Sequence, residues 1–170
     1  MRRYLLAFVL VFATSGMAAA QRTRGRQAQP AKTYTSIRQV DFNNFTYRWP
    51  GGDDSITLKN GSAVWGESDA SLEAPAYGDL TGDGVEDAAF VIWLRNHNSA
   101  RYEDSACFIY TLRGGKPSEV ANLPGAMSAR IIGRRLIIEE NVSGNNMVVP
   151  NKRTYQWERG RLVKVAIGRK

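Results

Sequence analysis

The chain has 170 residues, of which 43% are hydrophobic, 23% charged and 10% aromatic. That composition excludes wholesale disorder, a collagen-like fibre and a polytopic membrane protein, and the length allows one domain with little room for two. A single cysteine and a single histidine exclude an intramolecular disulfide framework, a multi-cysteine zinc site and paired-histidine metal motifs.

The formal net charge of +7 is concentrated at the N-terminus. Residues 1–38 hold seven bases and no acid, which leaves 16 bases and 16 acids for the rest. That remainder is formally neutral, so its charge does not indicate a nucleic-acid-binding face and no nucleic-acid partner is expected. Within it, residues 39–104 carry 12 acids and 4 bases, and residues 105–170 carry 4 acids and 12 bases. Either the halves pair in one fold and neutralise each other, or the surface is dipolar and steers a charged ligand.

The first 20 residues read as a secretory signal peptide. Arg2 and Arg3 precede an unbroken apolar run, Tyr4 to Ala13, and small residues lead to Ala18-Ala19-Ala20 before Gln21. A run of that length spans about 15 Å as a helix, short of the roughly 30 Å hydrocarbon core. The expectation is a mature chain of residues 21–170 in the periplasm or outside the cell, with no integral membrane association. Residues 21–36 are basic, rich in Gln and poor in apolar side chains, and read as a flexible linker. They are either a spacer or a loose attachment to an acidic surface.

From Ile37 to Lys170 short apolar runs alternate with Gly, Asn, Asp and Pro turns, and no long segment keeps a helical period. The expected strands are Asp41–Trp49, Ser55–Leu58, Ser62–Trp65 as hairpin partner of the second, Glu86–Leu94, Asp104–Leu112, Lys116–Leu123, Arg130–Ile132, Arg134–Asn141, Arg153–Glu158 and Arg161–Ile167. Ser68 to Glu73 could take a short helix. In the strand at 86–94, Ala88, Phe90, Ile92 and Leu94 oppose Ala89, Val91 and Trp93. In the next, Phe108, Tyr110 and Leu112 oppose Cys107 and Ile109. Two apolar faces require cover on both sides. The reading is a single all-β domain, mainly antiparallel, as a compact two-layer sheet or a propeller-blade-like sandwich.

The informative segment is Asp79-Leu-Thr-Gly-Asp83-Gly-Val-Glu-Asp87. Counting from Asp79, carboxylates fall at positions one, five and nine, the Thr81 hydroxyl at three, a glycine at six and the Val85 carbonyl at seven. Alternate groups of a tight loop converge on one point, glycine permits the sharp turn, and hard calcium takes six to eight such oxygens. Position twelve is Phe90 rather than glutamate and a strand follows, which speaks against an EF-hand. The metal-free alternative is a turn whose Asp side chains cap amides while Gly82 and Gly84 supply positive φ.

Tyr77 to Ile92 resembles the FG-GAP/VCBS type of repeat, found in integrin α-chain propellers and exported bacterial proteins. The resemblance covers about 16 residues and implies calcium held by Asp79, Thr81, Asp83 and Asp87 with the Val85 carbonyl. Thr81 departs from the usual Asp or Asn. The segment occurs once, whereas a propeller needs several blades.

Other candidates are weaker. His97 sits at an expected hairpin tip, and a triad with Ser99 or Ser105 lacks a nucleophile-elbow signature. Cys107 reads as a buried thiol, with an intermolecular disulfide as the export-specific alternative. Trp49, Trp65, Trp93 and Trp157 are core side chains or a carbohydrate-stacking platform. Arg134-Arg135 and Lys152-Arg153 read as solvated turn charges. The functional expectation is an exported binding or structural module with a calcium loop and a protein or carbohydrate ligand of the cell envelope or exterior. The rivals are a small hydrolase using carboxylates such as Glu86 or Glu139, and an envelope interaction protein using its basic tail and aromatic surface.

Overall fold

A computed structural model describes residues 32–98, 102–144 and 147–165. The signal-peptide segment, linker residues 21–31 and Ser99 lie outside them. At the start of the described part, the Tyr34 amide donates to the Gly115 carbonyl at 2.7 Å, and Ser36 caps a 3₁₀ turn at Ile37–Gln39. A second 3₁₀ turn covers Phe42–Asn44.

Twelve strands follow among the described residues: β1 Thr46–Arg48, β2 Ser55–Thr57, β3 Ser62–Trp65, β4 Ser68–Leu72, β5 Ala76–Gly78, β6 Asp87–Asn96, β7 Tyr102–Arg113, β8 Lys116–Pro124, β9 Ala126–Ile132, β10 Arg135–Gly144, β11 Met147–Glu158 and β12 Arg161–Val165. Their pairings are antiparallel. They form a two-stranded ribbon β1-β2, a six-stranded sheet ordered β3-β4-β6-β7-β8 with β5 also on β6, and a four-stranded sheet β12-β11-β10-β9. The expected all-β antiparallel class is what the chain adopts.

The central pair, β6 and β7, is walled on both faces, as its alternation predicts. Ala88, Phe90, Ile92, Leu94, Phe108 and Tyr110 face the ribbon and the 3₁₀ turns, where they meet Ile37, Phe42, Tyr47, Trp49, Ile56 and Leu58. Ala89, Val91, Cys107 and Ile109 face the four-stranded sheet, where Leu136, Ile138 and Tyr155 close the second core. The first core is aromatic. Phe42 lies 4.8 Å from Phe90, and Tyr47 lies 5.2 Å from Phe108, ring centre to ring centre.

Three local expectations are corrected. Ser68–Glu73 is not a helix: Ser68–Leu72 is strand β4, paired with β6 through Ser68↔Asn96 and Leu72↔Ile92. Asp41–Trp49 is not one strand. Asn44 donates its side-chain amide to Asp41 at 2.8 Å, a local bond that favours a turn over a ladder, so only Thr46–Arg48 is extended. Finally, β2 pairs with β1 rather than β3, which touches that region through a single bridge, Lys59↔Ser62. Among the described residues no ion pair joins the acidic half to the basic half. The halves meet through the β6–β7 ladder and through both apolar cores.

Candidate functional site

The Asp79–Asp87 loop connects β5 to β6, two strands that pair side by side through Gly78↔Asp87. Its closure follows from its own sequence. Asp79 accepts the Gly82 amide at 2.6 Å and the Asp83 amide at 3.1 Å on Oδ1, and the Gly84 amide at 3.1 Å on Oδ2. Asp83 accepts the Val85 amide at 2.9 Å. Gly82 and Gly84 have φ of +76° and +83°, values that other residues adopt only with strain.

Asp87 is different. It begins β6 on the face that carries Ala89 and Val91, and it is fully buried. Its Oδ2 accepts the Thr81 amide at 2.7 Å. Its Oδ1, together with the buried hydroxyl oxygens of Thr81 and Thr111, has no hydrogen-bond partner. The register places Thr111 next to it, one residue past the pair Ala88↔Tyr110. Burial pushes the Asp87 carboxyl above the usual carboxylate range, and the neighbouring Thr111 and Thr81 hydroxyls and the Thr81 and Leu80 amides oppose that only in part. A buried carboxylate without a cation is costly, and the Thr81 and Thr111 hydroxyls beside it offset only part of that cost.

Thus Thr81 and Asp87 are brought together, while Asp79 and Asp83 turn to the loop's amides. Val85 exposes its side chain. Among the described residues no three His, Cys, Asp or Glu side chains converge as a ready-made metal cluster. The oxygens of Asp79, Thr81, Asp83 and Asp87 are nevertheless of the kind that a hard cation takes. A carboxylate has about four lone-pair sites, and Asp79 engages three of them. Asp87 Oδ1 and the Thr81 hydroxyl have no partner among the described residues.

Two arginines flank the loop, one of which, Arg134, reads from the sequence only as a solvated turn charge. Arg38 forms a fork with Glu86, Nε to Oε2 at 2.6 Å and Nη2 to Oε1 at 2.8 Å, and lies 4.3 Å from the centre of the Tyr77 ring. Arg134, from the turn between β9 and β10, reaches the Thr81 carbonyl at 3.4 Å. A Cβ added to Gly82 would lie 2.2 Å from its guanidinium. Arg134, though exposed, therefore lies against the loop. Nothing in the local sequence signals this, because the contact spans 53 residues.

The other candidates resolve as follows. His97 Nε2 lies 3.0 Å from Asp69 Oδ1, away from Ser105, which is buried in β7. Cys107 is fully buried, so an intermolecular disulfide is inaccessible to the folded chain. Trp49 is buried against Trp65 and Phe108. Trp93 and Trp157 are half-buried, and Tyr155 and Trp157 share the inward face of β11. Glu86 is held by Arg38, and Glu139 lies 3.7 Å from Lys152 and 4.0 Å from Arg130. Arg153 is bonded to buried Glu140. No helix among the described residues is long and apolar enough to cross a membrane. Comparison with family models, with curated proteins and with solved structures gave no match.

Proposed function

We propose that the chain is an exported β module with a binding or structural role, and that a calcium ion held by the Asp79–Asp87 loop stabilises it. One observation carries the reading: no cation among the described residues pairs with the fully buried Asp87, and neither its Oδ1 nor the Thr81 hydroxyl beside it has a hydrogen-bond partner among them. Asp79, Thr81, Asp83, Asp87 and the Val85 carbonyl would hold the ion, whose charge would offset the desolvation of Asp87 and the mutual repulsion of the loop acids. The similarity of Tyr77–Ile92 to FG-GAP/VCBS repeats supports the same assignment. The signal-like residues 1–20 support export, and cleavage before Gln21 is checked by N-terminal sequencing of the secreted chain.

The test is thermal melting of residues 21–170 in EDTA and across a calcium series, beside Asp83→Asn. Ion binding to the folded state alone raises stability by about 2.7 kcal/mol at a hundredfold excess over Kd. A calcium-dependent rise in Tm that Asp83→Asn weakens is the expected result. No shift at millimolar calcium would overturn the ion assignment.

A further inference from the structure

A second feature lies on the other side of the six-stranded sheet's centre. Beyond the part covered by the four-stranded sheet, the face formed by β3, β4 and the end of β6 stands open. Across it run two cross-strand rows, Val64↔Asp69↔Arg95 and Ser62↔Ser71↔Trp93. Val64, Asp69, Arg95, Ser62 and Ser71 line a groove of about 530 Å³ together with Lys59, Ala63 and Ala70, while Trp93 packs against the second core. Small-ligand sites generally occupy about 300–1,000 Å³.

The charge there is anomalous for its surroundings. Residues 39–104 contain only four bases. Arg48 is spent on Asp53 at 2.6 Å, and Arg101 lies outside the described residues. The remaining two, Lys59 and Arg95, both line this groove, and neither forms an ion pair among the described residues. Arg95 stands directly across the strand from Asp69, yet the Asp69 carboxylate pairs with His97 instead. The Ser71 hydroxyl has no protein partner among the described residues, and Ser62 makes only a long contact of 3.4 Å to the Lys59 carbonyl. Val64, 73% exposed, supplies an apolar surface.

We propose that this groove binds a sugar acid, that is, a polyhydroxylated ring or chain bearing one carboxylate. Lys59 and Arg95 receive the carboxylate, Arg95 being suited to grip both oxygens. Ser62, Ser71 and the free side of Asp69 take the hydroxyls, and Val64 takes the C–H face. Asp69 decides the class. Two cations and one carboxylate leave a single formal positive charge, which matches a monoanion. Asp69 would repel a phosphate dianion and would accept hydrogen bonds from hydroxyls. The proposal rests on reading the chain as a binding module, and not on an ion in the Asp79–Asp87 loop.

The experiment is an amide chemical-shift titration of residues 21–170 with glucuronate, glucose and inorganic phosphate, each with calcium and with EDTA. It is repeated on Lys59→Ala/Arg95→Ala and on Asp69→Asn; Lys59 and Arg95 are exposed and Asp69 half-exposed, so the fold is expected to persist. Glucuronate should give saturable shifts at Ser62, Asp69, Ser71 and Arg95, with glucose and phosphate weaker. The double variant should lose affinity by about tenfold or more, as expected for removing charge-assisted bonds. Asp69→Asn should weaken glucuronate while strengthening phosphate. No saturable glucuronate shift at these residues, or an undiminished one in the double variant, would overturn the proposal. Phosphate binding more tightly than glucuronate to the unmutated chain would overturn the ligand class. Groove binding that persists in EDTA separates this inference from the fate of the calcium loop.

Discussion

At the scale of single residues, Asp87 and Cys107 are the most constrained titratable groups of the second core. No cation among the described residues pairs with the buried Asp87 carboxyl, so the change to Asn is expected to act in opposite directions with and without an ion. In EDTA, Asp87→Asn removes an uncompensated buried charge and should leave Tm unchanged or raise it. In millimolar calcium it removes a ligand and should lower Tm relative to the unmutated chain. Two melting curves for each protein check this. Cys107 is held up to about 12 by burial, against an ordinary thiol value of about 8.5. Its contribution to stability is full below that ordinary value and is lost as pH rises towards the folded one, because the unfolded chain releases the proton first. The folded protein should therefore resist a thiol reagent at pH 8 and react once denatured, and Cys107→Ala should flatten the alkaline fall in stability. The spacing of Asp79, Thr81, Asp83 and Asp87 was legible in the sequence because all four lie within nine residues. Thr111, Arg38 and Arg134 were not, since strand register and a distant turn bring them to the loop.

At the scale of elements, the alternation in β6 and β7 predicted both their faces correctly, because burial on two sides keeps the middle of each strand apolar in both phases, and buried polar residues enter only towards the strand ends, as Asp87, Ser105 and Thr111. β4 was not legible. Ser-Asp-Ala-Ser-Leu alternates at only two apolar positions, Ala70 and Leu72, too short a pattern to decide between strand and turn, and its extension comes from the partner strand β6. The same holds for β5, whose three residues are fixed by the neighbour and by the sheet behind it. A Cβ on Gly78 would lie 2.7 Å from Ile131 Cγ2 in β9, so glycine there sets the distance between the two sheets at the entry to the loop. Gly78→Ala is expected to cost roughly 1–3 kcal/mol by overpacking. The loss is measured by denaturant unfolding, and Ile131→Val in the same chain should restore part of it.

At the scale of the molecule, the two apolar cores share one wall. Phe90 and Phe108 project from it towards the ribbon, and Val91 and Ile109 project from it towards the four-stranded sheet. Phe90→Ala and Phe108→Ala should each cost about 3–5 kcal/mol. Both should lower the fluorescence and circular-dichroism transitions together, whereas two separately folded layers would part into two transitions. A shared wall also governs how the molecule breathes. Neither layer can peel away without baring one face of β6 and β7, so amides along Ala88–Ile92 and Ala106–Tyr110 should exchange with deuterium only through global opening. Amides of β1, β2 and β12 should exchange through smaller, local events. The slowest-exchanging protons should therefore trace a two-stranded spine through the middle of the molecule, at the N-terminal end of which sits Asp87.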